Sequence, residues 1–354
     1  MQLKICSDTS GTGYLLRARA RQLAIGLLTP LVLLASGCGT MIAERALHPT
    51  PDPERVAMLK EVRSEIKIGW TGHFREFDYY AYDGTRLRAA MLLPPDPKKY
   101  RGLVVMVHGL DDQKEGMLRY AEGFADQGYV AVCPDLRAHG QSGGSYTTFG
   151  SHEKYDMVAL LDTLHRQGYD TSRVGAVGAS MGAAIVLQWA EIDHRVKAVV
   201  AVAPFAELST EAMYLYHKLN LHFSQGELVY LVDAAQHLAH FRVLDVSPLR
   251  SVGKMDTPVY IVHGQKDPLI PPSESERLFE AARGPVVIER VPNGGHRSIV
   301  VRAGPGLLKR AYEWVDAFVP NDPGPQIAPA WASTFDHRNL QIEKAEVEVD
   351  RNER

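Results

Sequence analysis

Apolar residues along this chain fall into two rhythms. Over 74–82 and 85–93 they alternate with polar ones, as half-buried strands require, and Asp83-Gly84 between them is a hairpin turn. From residue 103 the pattern changes to short continuous apolar runs at 103–107, 129–133, 174–177, 196–202, 259–262 and 286–291. Stretches near 115–127, 152–166, 181–190, 273–282 and 306–318 read as helices. Buried strands alternating with helices predict an α/β fold, a mostly parallel sheet covered on both faces.

Three segments depart from that rhythm. Between Pro204 and Thr257 lie two helix-like stretches, 210–220 and 228–240, rich in Tyr, His, Leu and Phe. An insertion of this size after a sheet strand reads as a helical lid, about 205–250, with surface decoration as the alternative. Tyr214, Tyr216, His217 and Tyr230 on it are expected to pack its helices. Residues 38–70 read as a stalk, with Pro49, Pro51 and Pro53, and then a polar leading helix. From Pro320 the chain turns to prolines and then charge, and a flexible tail over 320–354 is expected. The main α/β domain therefore falls within 71–319.

The N-terminus adds a location. Arg17-Ala18-Arg19-Ala20-Arg21 is a basic start, and the apolar run 23–34 is too short for a comfortable membrane span. Together they fit a secretory signal peptide over 1–37. The run ends in Leu34-Ala35-Ser36-Gly37-Cys38, which resembles the lipobox of bacterial lipoproteins, although Ala35 stands where that pattern prefers Leu. The resemblance implies a Cys38 that carries acyl chains such as palmitate. It also implies attachment to a bacterial envelope membrane, facing the periplasm or the exterior. An uncleaved anchor or a buried helix is the alternative. Cys133 would then be the one thiol of the mature chain, placed as a small buried hydrophobe, and no disulfide framework is available.

Charge narrows the partners. The net charge is −3, and residues 1–37 hold four basic residues and one acid, so the body is near −6. A mildly acidic body gives no reason to expect nucleic acid. No metal-ligand pattern such as C-x-x-C or H-E-x-x-H occurs, and no cofactor or metal is expected. The bilayer reached through Cys38 is the partner expected from the N-terminal end of the chain.

The candidate chemistry lies in Gly178-Ala179-Ser180-Met181-Gly182, between the apolar run 174–177 and the helical stretch that follows. A serine at a tight strand-to-helix turn projects its hydroxyl beside unpaired helix N–H groups. That hydroxyl needs a base, and the base needs an orienting acid. His296 follows the strand 286–291 through Asn293-Gly294-Gly295, and Asp267 follows the strand 259–262. Parallel strands bring their C-terminal ends to one edge, so Ser180, Asp267 and His296 can converge there. Glu207 competes for the acid role. His139 and His263 compete for the base role, with His263 expected beneath the acid loop and His139 beside an Asp135–Arg137 ion pair. Met181 N–H and Leu110 N–H, the latter just after His108-Gly109, are the candidate oxyanion donors. His108 reads as a positioning residue.

With these residues in place, the chain over about 74–318 resembles the α/β-hydrolase superfamily. The pieces His108-Gly109, 135–142, 178–182, 263–267 and Gly295-His296 are similar to the serine aminopeptidase (S33)/Bem46-like branch. The resemblance implies an eight-stranded core with a cap after the sixth strand. It also implies a serine hydrolase, with esterases, lipases and peptidases all within reach. The sequence reading favours a carboxylesterase acting through an acyl-enzyme, with a small acyl ester or short peptide as the expected substrate. A peptidase or amidase is the rival, and a non-catalytic envelope binding protein is the alternative from another class.

Overall fold

The computed structural model describes residues 38–319 and 328–341. The segment 1–37, the residues 320–327 and 342–354, and the Cys38 side chain lie outside the described residues. The expectations of a signal peptide, a lipidated cysteine and a charged end fall there. No described helix is long and apolar enough to cross a membrane.

Two helices lead, α1 (Cys38–Leu47) and α2 (Pro53–Gly69). Asp52 caps α2 by accepting the Glu54 N–H at 2.9 Å, and Pro53 at the first helical position loses no intrahelical bond. The expected stalk is therefore corrected in its first part. Ala43 and Leu47, one turn apart, give α1 a buried face, and the Leu47 carbonyl accepts the Thr147 N–H at 3.0 Å.

The strands β1 (Phe74–Tyr80) and β2 (Arg86–Leu92) form the predicted hairpin. They end sooner than the apolar alternation suggests, because Gly84 N–H closes a turn on Ala81 O and Asp83 accepts the Thr85 N–H. Then follow β3 (Gly102–Val107), α3 (Glu115–Asp126), β4 (Tyr129–Pro134), α4 (Glu153–Arg166), β5 (Val174–Ala179), α5 (Met181–Ile192) and β6 (Val196–Val202). The insertion supplies α6 (Leu208–Lys218), α7 (Gln225–Ala239) and the short α8 (Pro248–Val252). The remaining units are β7 (Val259–Gly264), α9 (Pro272–Ala281), β8 (Val286–Val291), α10 (Ile299–Ala303), α11 (Gly306–Phe318) and β9 (Asp336–Arg338).

The sheet has nine strands in the order β1-β2-β4-β3-β5-β6-β7-β8-β9, parallel from β4 through β8. Its inner strands are apolar throughout because both faces are covered. Leu103, Val105 and Val107 of β3 point into a core with Met157, Leu160 and Trp189, whereas Val104 and Met106 meet Phe124 and Trp314 on the other face. From β3 the chain crosses to β4 on one side, and from β5 it crosses to β6 on the other. The crevice between the ends of β3 and β5 is thus the topological switch point, where α/β sheets place their ligands.

The tail corrects the sequence reading as well. Residues 328–341 are ordered, and β9 adds a ninth strand to the expected eight by pairing antiparallel with β8. The Trp331 ring lies 5.1 Å from that of Tyr260 and 6.2 Å from that of Trp314, and Arg290 Nη1 meets Asp336 at 2.6 Å. Two aromatic rings, Trp331 and Phe335, supply the apolar area that proline and charge counts conceal.

Candidate active site

Ser180 stands at the end of β5 with φ 55° and ψ −121°, a backbone conformation that costs an L-residue strain. Two glycines make the turn that holds it. A Cβ on Gly178 would lie 2.3 Å from Gly182 O, and one on Gly182 would lie 2.3 Å from Val107 O. Strand, helix and the β3 end therefore close on one another only without side chains there. The Ser180 N–H is tied to Val202 O at 2.8 Å, which fixes the turn to β6.

His296 Nε2 lies 2.9 Å from Ser180 Oγ, and His296 Nδ1 lies 2.7 Å from Asp267 Oδ2. With the Nδ1 proton donated to the carboxylate, Nε2 is free to accept from the serine. The other Asp267 oxygen accepts the Leu269 and Ile270 N–H groups at 2.8 and 3.1 Å. Burial alone would raise the Asp267 carboxyl. Hydrogen bonds from His263 and His296, the charge of His296 and the Leu269 amide outweigh it and hold the group well below the ordinary carboxylate range. The Asp267 side chain is 0% exposed and that of His296 14%, and Ser180 is half-buried, so only the acid is closed off from solvent.

The competing residues lie elsewhere. Glu207 is ion-paired with Arg277, away from His296. His263 sits beneath the acid loop, with Nε2 3.1 Å from Ile270 O and 3.5 Å from Asp267 Oδ2, and Nδ1 2.5 Å from Ser275 Oγ. Its Nε2–H therefore serves Ile270 O first and leans on the acid second. His139 is buried with Nδ1 2.9 Å from Arg137 O, and burial lowers it to about 4. The expected Asp135–Arg137 pair is not formed. Arg137 instead makes a forked bond to Asp156 at 2.8 and 2.5 Å, and Asp135 binds Lys114 Nζ at 2.8 Å. An arginine fork matches a carboxylate on the neighbouring helix α4, and Asp135 is left to hold the loop after β3.

That loop carries the second group of candidates. A Cβ on Gly109 would lie 3.3 Å from Ser180 Cβ, so the loop abuts the serine. His108 Nε2 accepts the Leu136 N–H at 3.0 Å, which leaves Nδ1–H to donate to Gly109 O at 2.8 Å. Asp112 N–H also reaches that carbonyl, at 3.3 Å. In a trans peptide the carbonyl and the next N–H point opposite ways, so anchoring Gly109 O turns Leu110 N–H away from the core. Among the described residues neither Leu110 N–H nor Met181 N–H has a hydrogen-bond partner in the protein. The polar ring beneath the loop was not legible beforehand: Lys114 is fully buried, with its N–H on Asp135 Oδ1 at 2.7 Å and Nζ on Gln141 Oε1 at 3.1 Å. The signal for it was a lysine in an otherwise short polar loop after a core strand.

The lid leans on the acid loop through Tyr214, whose hydroxyl lies 3.4 Å from Pro268 O. Tyr216 packs within the lid, stacked on Phe223 and hydrogen-bonded to its carbonyl at 2.9 Å. Glu211, on the same helix α6, stands in no motif of the sequence. It is buried, its Oε2 has no hydrogen-bond partner, and burial with the nearby Glu274 and Asp267 carboxylates raises it to about 8. Among the described residues no cluster of His, Cys, Asp and Glu could hold a metal ion.

Comparison with known proteins bears on this arrangement. Residues 83–242 match the X-Pro dipeptidyl-peptidase (S15) family, a stretch that includes Ser180 and stops before Asp267 and His296. The uncharacterized protein YqkD of Bacillus subtilis is 29% identical over 216 residues, 60% of this chain and 70% of that protein. Dipeptidyl-peptidase 5 of Porphyromonas gingivalis is 24% identical over 213 residues, and the chain spans only 31% of its length. Among solved structures, the esterase Pf2001 of Pyrococcus furiosus superposes with a TM-score of 0.56 at 21% identity, covering 73% of this chain and 95% of that one. Sheet order, turn geometry and solved neighbours agree: the chain has the α/β-hydrolase fold.

Proposed function

We propose that the chain is a serine hydrolase that cleaves acyl esters through an acyl-enzyme, with Ser180 as nucleophile, His296 as general base and Asp267 as the orienting acid. The observation that carries this is the unbroken path from Ser180 Oγ to His296 Nε2 at 2.9 Å and from His296 Nδ1 to Asp267 Oδ2 at 2.7 Å. Ser180 Oγ attacks the ester carbonyl carbon and passes its proton to His296. The oxyanion is received by Met181 N–H and Leu110 N–H. As the tetrahedral species collapses, His296 returns the proton to the departing alcohol. Water, deprotonated by His296, then attacks the acyl-enzyme and releases the acid. No step needs a cofactor.

The S15 match and the dipeptidyl-peptidase relative favour a second reading, a peptidase using the same three residues. The ester reading is supported by architecture. The match to the esterase Pf2001 takes in 95% of that chain, whereas the peptidase relative is matched over about a third of its length. The sequence further supports attachment to an envelope membrane through Cys38. A fluorophosphonate probe should label wild type and not Ser180→Ala; equal labelling removes the hydrolase reading. A panel of p-nitrophenyl esters beside aminoacyl amides then separates the two substrate classes.

A further inference from the structure

The lid helix α7 leaves apolar residues in water. Among its fifteen residues are Leu228, Val229, Leu231, Val232 and Leu238, yet only Ala239 is buried. Val229 is 65% exposed and Val232 41%, and their three-residue spacing puts them on one face. Beside this helix lies α1, which leaves Met41 67% exposed. Soluble surfaces tolerate single apolar residues, but an exposed apolar helix face marks a docking site.

What covers it follows from where the chain enters the fold. The apolar run 23–34 ends four residues before Cys38, a distance of at most about 14 Å even for extended chain. Cys38 opens α1, and the first turn of α1 is pressed on α7. Gly39 lies flat against the Tyr230 ring with no room for a Cβ, and Thr40 Oγ1 lies 3.4 Å from Tyr230 OH. A membrane attachment at this N-terminus therefore brings α7 to the bilayer with it, whether the attachment is an acylated Cys38 or an uncleaved run. The helix carries Glu227 and Asp233 and no Lys or Arg, so apolar area rather than attraction to anionic headgroups would seat it.

We propose that the outer face of the lid, Val229 and Val232 of α7 with Met41 of α1, docks on the surface of a lipid bilayer and holds the lid against the source of its acyl substrates. This rests on the membrane-attachment reading of the N-terminus and is independent of the choice between ester and amide.

The test uses the full chain, processed in its host and reconstituted in phosphatidylcholine vesicles. An environment-sensitive fluorophore is placed at Val229→Cys or, as control, at exposed Lys98→Cys. The control lies before β3, at the sheet edge opposite the lid. A Cys6→Ser background removes one competing thiol, and Cys133 is enclosed in the core. Fluorophosphonate labelling of Ser180 in each variant reports that the fold and the hydrolase chemistry are intact.

We expect doxyl-labelled lipid to quench the 229 probe at least two-fold and to leave the 98 probe unchanged. The result should be the same when phosphatidylglycerol is added. Protein that floats with the vesicles while both probes stay equally unquenched overturns the docking and spares the attachment. Protein that does not float overturns both. A blue shift at 229 without lipid quenching means a second copy covers the face, and that also overturns the proposal.

Discussion

Gly264 and Gly294 meet where the acid loop crosses the base loop: a Cβ on Gly264 would lie 2.4 Å from Gly294 O. That same carbonyl, two residues before His296, accepts at 2.8 Å the N–H of Lys266, one residue before Asp267. The separation of Asp267 from His296 is thus set by backbone contact between two loops, and only secondarily by the side chains. Gly264→Ala must push them apart. A misplacement near 1 Å costs about 10²-fold in rate. We expect kcat on a p-nitrophenyl ester to fall by about that factor with KM little changed. Wild-type kcat in the alanine variant would show that the loops are not what spaces the pair.

Asp267→Asn separates orientation from charge. The Asn carbonyl can still accept from Leu269 and Ile270, but its NH2 then faces His296 Nδ1 and forces the proton to Nε2. In that tautomer the imidazole cannot take the serine proton. The expected loss is on the order of 10⁴ in kcat with the melting temperature nearly kept. Glu207→Gln, by contrast, should leave kcat near wild type, because Glu207 is engaged by Arg277. A large loss in the Glu207 variant with a mild one at Asp267 would reverse the assignment of the acid.

Much of this site could be read from the chain because its logic is local. A strand, a glycine-framed serine and a helix form a turn whose chemistry is written in five consecutive residues. Strand ends likewise announce Asp267 and His296. What escaped depends on contacts distant in sequence. Arg137 chose Asp156 over Asp135 because a helix nineteen residues on presented a carboxylate to its fork. The order of the tail is hidden in the sequence because Trp331 packs on Tyr260 and Trp314, which composition cannot pair with it. Helix α1 reads as stalk because its buried face is two residues wide and its partner, α7, lies in the lid.

His108 gives a test of the loop after β3. His108→Phe keeps an aromatic ring of similar size and removes both hydrogen bonds, leaving Gly109 O only the longer bond from Asp112 N–H and Leu136 N–H without its acceptor. The buried amide costs about 1–3 kcal/mol of stability. If the ring also fixes Leu110 N–H for the oxyanion, kcat should drop 10²–10³-fold, roughly the worth of one donor, with KM nearly constant. Loss of stability alone, with kcat unchanged on the folded fraction, would reduce His108 to a packing residue.

Glu211 makes the lid sensitive to alkali. Burial raises its carboxyl to about 8, with Glu274 and Asp267 adding repulsion, whereas an unfolded glutamate titrates near 4.3. Between those values the folded chain holds a proton that the unfolded chain has lost. The contribution of this group to stability is therefore full below about 4.3, declines as pH rises, and is gone once pH has passed through 8. The slope is at most about 1.4 kcal/mol per pH unit. Glu211→Gln keeps the shape and removes the titration. Melting curves of both proteins from pH 5 to 9 should show the variant gaining on wild type as pH rises, with the gap level above about 8. Groups common to both proteins, such as His139, cancel in that difference. A gap that does not change with pH would mean Glu211 is ionised in the folded lid, and its missing partner would have to be sought in the substrate.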